Sequence, residues 1–328
     1  MKKLSLLVAG LFFSALSFAQ NTPYFTSYPS LSPDAKEIYF SYDGDIWKVP
    51  THGGEALRIV ALEGEETRAM PSPDGKYLAF SSNTYGNNDV FVLSLETGDI
   101  KQLTHHTADD KVESWSWDSK TIYFTSNRYN GFGSFAVSVD GGTAKPLFDK
   151  YFTTSDALVE TPDGTYIFTN SMESNRQLAR KRYKGANNPD LLFYNPKTKE
   201  YKQLTDYLGK DFNPTVDKNG NIYYISDENT GEYNLYKLEN NKAKALTAFE
   251  TSIKTPHVAA NGQKVVFEKD YQLYVYDVAT AKETKLDFRA ASHYVLDKKE
   301  SFSTDRISYL DVSRDGNKLA FVSRGVLF

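Results

Sequence analysis

One short phrase recurs along this chain and leaves few folds open to it: a tight turn, then a strand with an aromatic residue near its centre. The fullest copy is Ser72-Pro73-Asp74-Gly75, followed by Lys76-Tyr77-Leu78-Ala79-Phe80-Ser81-Ser82. Proline presets the first turn angle, aspartate hydrogen-bonds nearby backbone, and glycine takes the positive φ without steric cost. Strand alternation then puts Leu78 and Phe80 on one face and Tyr77, Ala79 and Ser81 on the other. Further copies begin at Ser32-Pro33-Asp34, Trp117-Asp118-Ser119, Thr161-Pro162-Asp163-Gly164, Lys218-Asn219-Gly220, Asn261-Gly262 and Ser313-Arg314-Asp315-Gly316.

The aromatic positions serve as a ruler. Phe40, Phe80, Phe124, Phe168, Tyr224, Phe267 and Phe321 are 40, 44, 44, 56, 43 and 54 residues apart. A strand-built period of about 40–45 residues is the signature of propeller blades. The first repeat predicts an inner strand over 28–32, then strands over 37–42, 45–49 and 56–60, joined at Asp43-Gly44 and His52-Gly53-Gly54. The expected fold is all-β: a six-bladed β-propeller of four-stranded antiparallel blades over 20–288. The ring is expected to close by face-to-face packing of blades one and six, without a strand-exchange clasp. Two spacings are long. One reflects an insertion over 170–188, with a short helix expected over 173–183; the other predicts a linker over 289–302. Residues 303–328 then read as the incomplete first blade of a second propeller, with Val326-Leu327-Phe328 where Ile46-Trp47 stand in blade one.

Composition agrees with this architecture. Tyr and Phe number 23 and 21 against 3 Met, a bias toward strands and aromatic-packed sheets. A net charge of −4 leaves no basic footprint for nucleic acid. The absence of cysteine excludes disulfides, thiolate nucleophiles and cysteine-bound metals. Lys2 and Lys3, an apolar run from Leu6 to Leu16 and Ser17-Phe18-Ala19 together read as a signal peptide over 1–19, too short for a comfortable membrane span. Cleavage would leave 36 basic and 42 acidic side chains, a net charge of −6. The mature chain is thus expected to be exported, periplasmic or secreted, with no remaining span.

The chemistry-bearing residues are few. None of His52, His105, His106, His257 and His293 stands in a metal-ligand spacing, and no phosphate-binding glycine loop or nucleophile elbow occurs. Asp43-Gly44-Asp45 lacks the remaining ligands of a calcium loop and reads as a hairpin turn. Neither a catalytic centre nor a cofactor or metal site is expected. Two contact candidates remain. His257 lies in a predicted inner strand facing the central channel, where it is either a ligand contact or a structural side chain. Arg180, Lys181 and Arg182 form a basic group in the insertion, suited to an acidic peptide terminus or a neighbouring domain, or simply solvated.

The mature chain resembles the N-terminal region of tricorn proteases in their exported bacterial form. The likeness is carried by Tyr39-Phe40-Ser41-Tyr42-Asp43-Gly44-Asp45-Ile46-Trp47, the Pro-Asp-Gly-Lys turns, Lys181-Arg182-Tyr183-Lys184-Gly185 and Leu319-Ala320-Phe321-Val322-Ser323-Arg324-Gly325. Pro-Asp-Gly repeats also occur in TolB-like propellers and those of dipeptidyl peptidases. The resemblance implies a six-bladed propeller followed by a seven-bladed one, a PDZ domain and a serine peptidase core. The family's catalytic Ser, His and Glu lie in those later domains, without counterpart here. Its propellers filter and guide peptides, so the implied partners are peptide substrates or products in the channel, the missing C-terminal domains, and further copies in a homo-oligomer. A basic pair that holds the peptide C-terminus in archaeal members is replaced here by Ala108-Asp109-Asp110-Lys111. The alternative expectation is a non-catalytic TolB-like propeller that binds a protein or glycan partner in the periplasm.

Overall fold

A computed structural model describes residues 23–129, 131–148, 154–171, 173–174, 178–290, 306–323 and 326–327. The expected leader over 1–19 and most of the expected linker lie outside these residues.

Each repeat folds as its turn chemistry dictates. The Ser72 hydroxyl donates to Asp74 Oδ1 at 2.6 Å and accepts the Tyr77 N–H at 3.0 Å, while the Gly75 N–H closes on the Ser72 carbonyl at 2.9 Å. The pattern recurs at Ser32/Asp34 and Ser116/Asp118. At two of these turns the bonds favour the ionised form: Asp34, bonded first to Lys36 and then to Ser32, has its pKa lowered to about 2, and the Ser116 hydroxyl lowers that of Asp118.

Six antiparallel meanders result. Their inner strands are Ser27–Leu31, Glu66–Pro71, Asp110–Trp115, Asp156–Glu160, Asp211–Val216 and Ile253–Val258. Each pairs with the aromatic-bearing second strand of its own repeat, and the third and fourth strands follow in order. Second strands such as Tyr77–Ser82 are sandwiched between neighbouring blades. Leu78 and Phe80 join Tyr39, Ile46 and Val60 of blade one, whereas Ala79 joins Val112, Ile122 and Phe124 of blade three. Six clusters of this kind occupy the six blade junctions, and Phe40, Phe80, Phe124, Phe168, Tyr224 and Phe267 are all fully buried. Each such ring contributes roughly 1.5–3 kcal/mol through apolar burial.

Ring closure needs one correction. The four meander strands of every blade do come from one repeat, and blades one and six pack face to face through Leu31, Phe40 and Trp47 against Val266, Leu273 and Val275. However, Phe288–Ala290 adds a short parallel strand to the outer edge of Gly54–Val60, making the first sheet five-stranded. The ring therefore takes in Arg289 and Ala290, which the spacing assigned to the linker. Gly53 and Gly54 admit this latch: the Gly54 N–H donates to the Asp287 carbonyl at 3.2 Å, and a Cβ on Gly53 would stand 2.1 Å from that oxygen.

The insertion holds no helix among its described residues, which form turns. Arg182 has a φ of 58°, and its backbone N–H donates to Asp227 Oδ2 at 3.1 Å, a bond to blade five in place of one along a helix. Residues 292–328 form a separate unit. It contains an antiparallel sheet of Tyr309–Val312, Leu319–Ser323 and Val326–Leu327, with the same turn bond from Ser313 to Asp315. No helix among the described residues is long and apolar enough to cross a membrane.

Candidate functional site

The inner strands surround a narrow channel, and the turn that ends each strand gives a common count. Two places before the first turn residue stand Ser30, Met70, Ser114, Val159, Thr215 and His257. Four of these reach the next blade. Ser30 Oγ donates to the Ala69 carbonyl at 2.7 Å and Ser114 Oγ to the Leu158 carbonyl at 2.6 Å. Thr215 Oγ1 accepts the Val258 N–H at 3.1 Å, and His257 Nδ1 accepts the Leu31 N–H at 3.0 Å. The side chains thus form a girdle of interblade hydrogen bonds, and His257 carries it over the seam between blades six and one.

Each inner strand is also bulged against its partner. Two places farther from the turn, Tyr28, Arg68, Ala157, Asn213 and Thr255 have φ of 50°, 55°, 53°, 52° and 43°. Left-handed backbone at non-glycine residues is costly, about 1 kcal/mol or more each, so its recurrence at one position reflects the geometry of the ring. The bulges free backbone N–H groups, and the oxygens of buried carboxyl groups take them. Glu113 accepts the Ala157 and Leu158 N–H groups at 2.6 and 3.0 Å, together with the Thr125 hydroxyl. Glu268 accepts the Tyr28 N–H at 2.8 Å across the seam.

Two adjoining cavities of about 120 and 90 Å³ make up the channel, and both touch Met70, Glu113, Val159, Pro214, Pro256 and His257, which form its waist. The walls mix proline, valine, methionine and tryptophan with polar groups that include Glu113, Glu160, His257 and Arg68. Arg68 lines the cavity on the bulge side, its guanidinium 4.8 Å from the centre of the Tyr28 ring. Burial favours neutral forms at the waist. It raises Glu113 to about 8, helped by the nearby Asp156 charge, and lowers His257 to about 4. With Nδ1 taken by Leu31, neutral His257 carries its proton on Nε2 and leaves no free ring acceptor for a catalytic hydroxyl. Among the described residues, no group of three His, Asp or Glu side chains is placed to hold a metal ion.

The other candidates lie elsewhere. Arg180 pairs with Glu173 at 2.6 Å and covers the Tyr183 ring. Lys181 and Arg182 both pair with Glu232 of blade five, the latter at 3.0 Å. Lys181 and Arg182 pin the insertion to the blade that follows, Arg180 is held within the insertion itself, and none of the three is brought together with His257. Sequence reasoning passed over Glu113 and Arg68. Aligning the inner strands on their turns would have flagged both, since each places an ionisable group at the level of the waist or the bulge.

The family model described as the tricorn protease N-terminal beta propeller domain matches residues 23–282. A tricorn protease homolog of Saccharolobus solfataricus is 25% identical over 316 residues, 92% of this chain and 28% of the relative. Tricorn protease homolog 1 of Streptomyces coelicolor is 25% identical over 264 residues, 78% of this chain and 24% of the relative. The chain therefore spans about a quarter of the length of these relatives. Among solved structures, the tricorn protease superposes with a TM-score of 0.68 at 18% identity, covering 94% of this chain and 30% of that one. TolB from Acinetobacter baumannii superposes with 0.61 at 18% identity, covering 80% and 63%. The chain belongs to the tricorn protease N-terminal β-propeller family.

Proposed function

We propose that this chain is the N-terminal propeller of an exported serine peptidase of tricorn type, and that its channel guides peptides to or from a catalytic core outside these 328 residues. The observation that carries the reading is the channel itself in a chain of this family. Inner strands from all six blades line it, with a waist of apolar side chains, one neutral imidazole and one buried carboxyl group. Such walls make few specific contacts, which suits passage of a peptide whose side chains vary, its backbone groups being left to water. Lys2, Lys3 and the apolar run to Leu16 support export. The Ser313 turn and its sheet support a second propeller beginning there.

TolB, at a TM-score of 0.61, supports a second reading: a non-catalytic propeller that binds a protein or glycan partner in the periplasm. The gene sequence separates the two. The first reading expects the frame to continue past Phe328 through further repeats into a PDZ domain and a peptidase core; a stop codon directly after Phe328 contradicts it. The 328-residue chain alone should hydrolyse no member of a mixed peptide library. Turnover abolished by a serine-directed inhibitor would contradict the placement of the chemistry elsewhere.

A further inference from the structure

The blade-four insertion has no counterpart in the other repeats, and a separate cleft of about 440 Å³ lies beneath it. The walls come from Leu178 and Lys181 of the insertion, Tyr233 and Ser252 of blade five and its exit loop, and Lys254 and Tyr271 of blade six. Two of these groups are left unused by the fold. Tyr233 Oη is buried without a hydrogen-bond partner, on a residue that is 1% exposed. Buried hydroxyls in native proteins are nearly always satisfied, so an orphan in a cleft wall calls for a ligand or solvent atom. Lys254 forms no ion pair among the described residues, and its ammonium rests 5.5 Å from the centre of the Tyr271 ring.

The carboxylates nearby are occupied. Glu232 is held by Lys181, Arg182 and the Ser252 hydroxyl, the last at 2.7 Å. Asp270 is held by Lys269 at 2.9 Å and by the Thr251 hydroxyl. Glu268, opposite Lys254 across the strand pair, accepts from the Tyr28 N–H and the Thr255 hydroxyl. The cleft therefore offers one ammonium without an ion pair, resting on the Tyr271 ring and attracted by Glu268 across the strand pair, and one hydroxyl without a hydrogen-bond partner, beside a leucine.

We propose that this cleft binds a small carboxylate ligand bearing an apolar group, with Lys254 as cationic anchor, Tyr233 Oη as hydrogen-bond donor, and Tyr271 and Leu178 as the apolar wall. The basic group of the insertion then acts as the clamp that holds the roof in place. This site is distinct from the channel and does not depend on the channel's proposed role.

The test uses the 328-residue chain and three probes: N-acetylphenylalanine, its amide, and N-acetylaspartyl-phenylalaninamide. Calorimetry at neutral pH should show at least one carboxylate probe binding about tenfold or more tighter than the amide, as expected for a charge-assisted contact. A preference for the first carboxylate assigns a peptide α-carboxylate, and a preference for the other assigns an acidic side chain. Lys254→Met should remove the preference over the amide, and Tyr233→Phe should weaken carboxylate binding several-fold, with thermal unfolding showing that both variants fold. The channel variant Arg68→Met should bind as the native chain does. Equal binding of acid and amide, no binding at millimolar probe, or unchanged binding in Lys254→Met would overturn the proposal.

Discussion

His257 Nδ1 accepts the backbone N–H of Leu31 at 3.0 Å, across 226 residues of chain and across the seam that closes the ring. Leu31 is 1% exposed, so removing the acceptor leaves a buried donor unpaired. His257→Leu should destabilise the propeller by about 1–3 kcal/mol at pH 7, while His257→Gln, whose carbonyl oxygen can accept, should recover part of that. Burial lowers the His257 pKa from 6.5 to about 4. A depressed histidine contributes stability that is complete above pH 6.5 and lost as pH falls through about 4. The gap between native and His257→Leu in chemical denaturation should therefore narrow from pH 7 to pH 4.5; a constant gap would contradict the assignment.

Glu113 has the opposite sign. Burial raises its pKa from 4.5 to about 8, so the folded state holds a proton that the unfolded chain has released. Its contribution is complete below pH 4.5 and lost as pH rises through about 8. Glu113→Gln cannot titrate. The stability of the native chain relative to this variant should be greatest at pH 5 and smallest at pH 8, read from urea midpoints. A difference that grows with pH would show that Glu113 is stabilised as a carboxylate.

Blades three and five differ at one charge. Asp110 is paired with Arg128 at 2.6 Å, the guanidinium also lying over Phe124 and Phe135. At the equivalent place in blade five stands Glu228, and the equivalent carboxyl, Asp211, is raised to about 7 by burial, with Oδ1 unpartnered. Arg128→Ala should cost about 3–5 kcal/mol by stranding a buried carboxylate. Glu228→Arg should stabilise the chain at pH 8 by about 1–3 kcal/mol by giving Asp211 a counter-charge. A Glu228→Arg chain less stable than native at pH 8 would show that Arg128 owes its effect to its aromatic contacts.

The latch rests on Gly53. Its φ is 89°, and an added Cβ would meet the Asp287 carbonyl oxygen at 2.1 Å. Gly53→Ala should displace Phe288–Ala290 from the edge of blade one and cost about 2–4 kcal/mol. Hydrogen exchange at Gly54, whose N–H bonds Asp287, should accelerate in step. Unchanged protection there would mean that the parallel strand is dispensable to closure.

The fold was legible because one turn and one aromatic residue recur, and each blade is built from contacts within about 45 residues of chain. Leu78 and Phe80 were paired on the correct face for the same reason. His257 was legible as a channel residue, but its bond to Leu31 was not, since nothing local marks a partner on the first blade. Phe288–Ala290 escaped notice because a three-residue parallel strand is held by its backbone and leaves no pattern of side chains. The helix expected near Arg180 was read from local composition, whereas Asp227 and Glu232, some 45–50 residues away, decide that segment's conformation. Glu113 was hidden in a strand whose other members looked like ordinary scaffold.

The channel's role is tested most directly at Val159, a waist residue that belongs to neither the girdle bonds nor the carboxylate contacts. In the longer peptidase proposed above, Val159→Trp should fill the waist. Turnover of extended peptides should fall relative to a dipeptide-sized chromogenic substrate, while thermal unfolding of the variant confirms an intact ring. An unchanged ratio of long to short substrate turnover would contradict passage of peptides through this propeller.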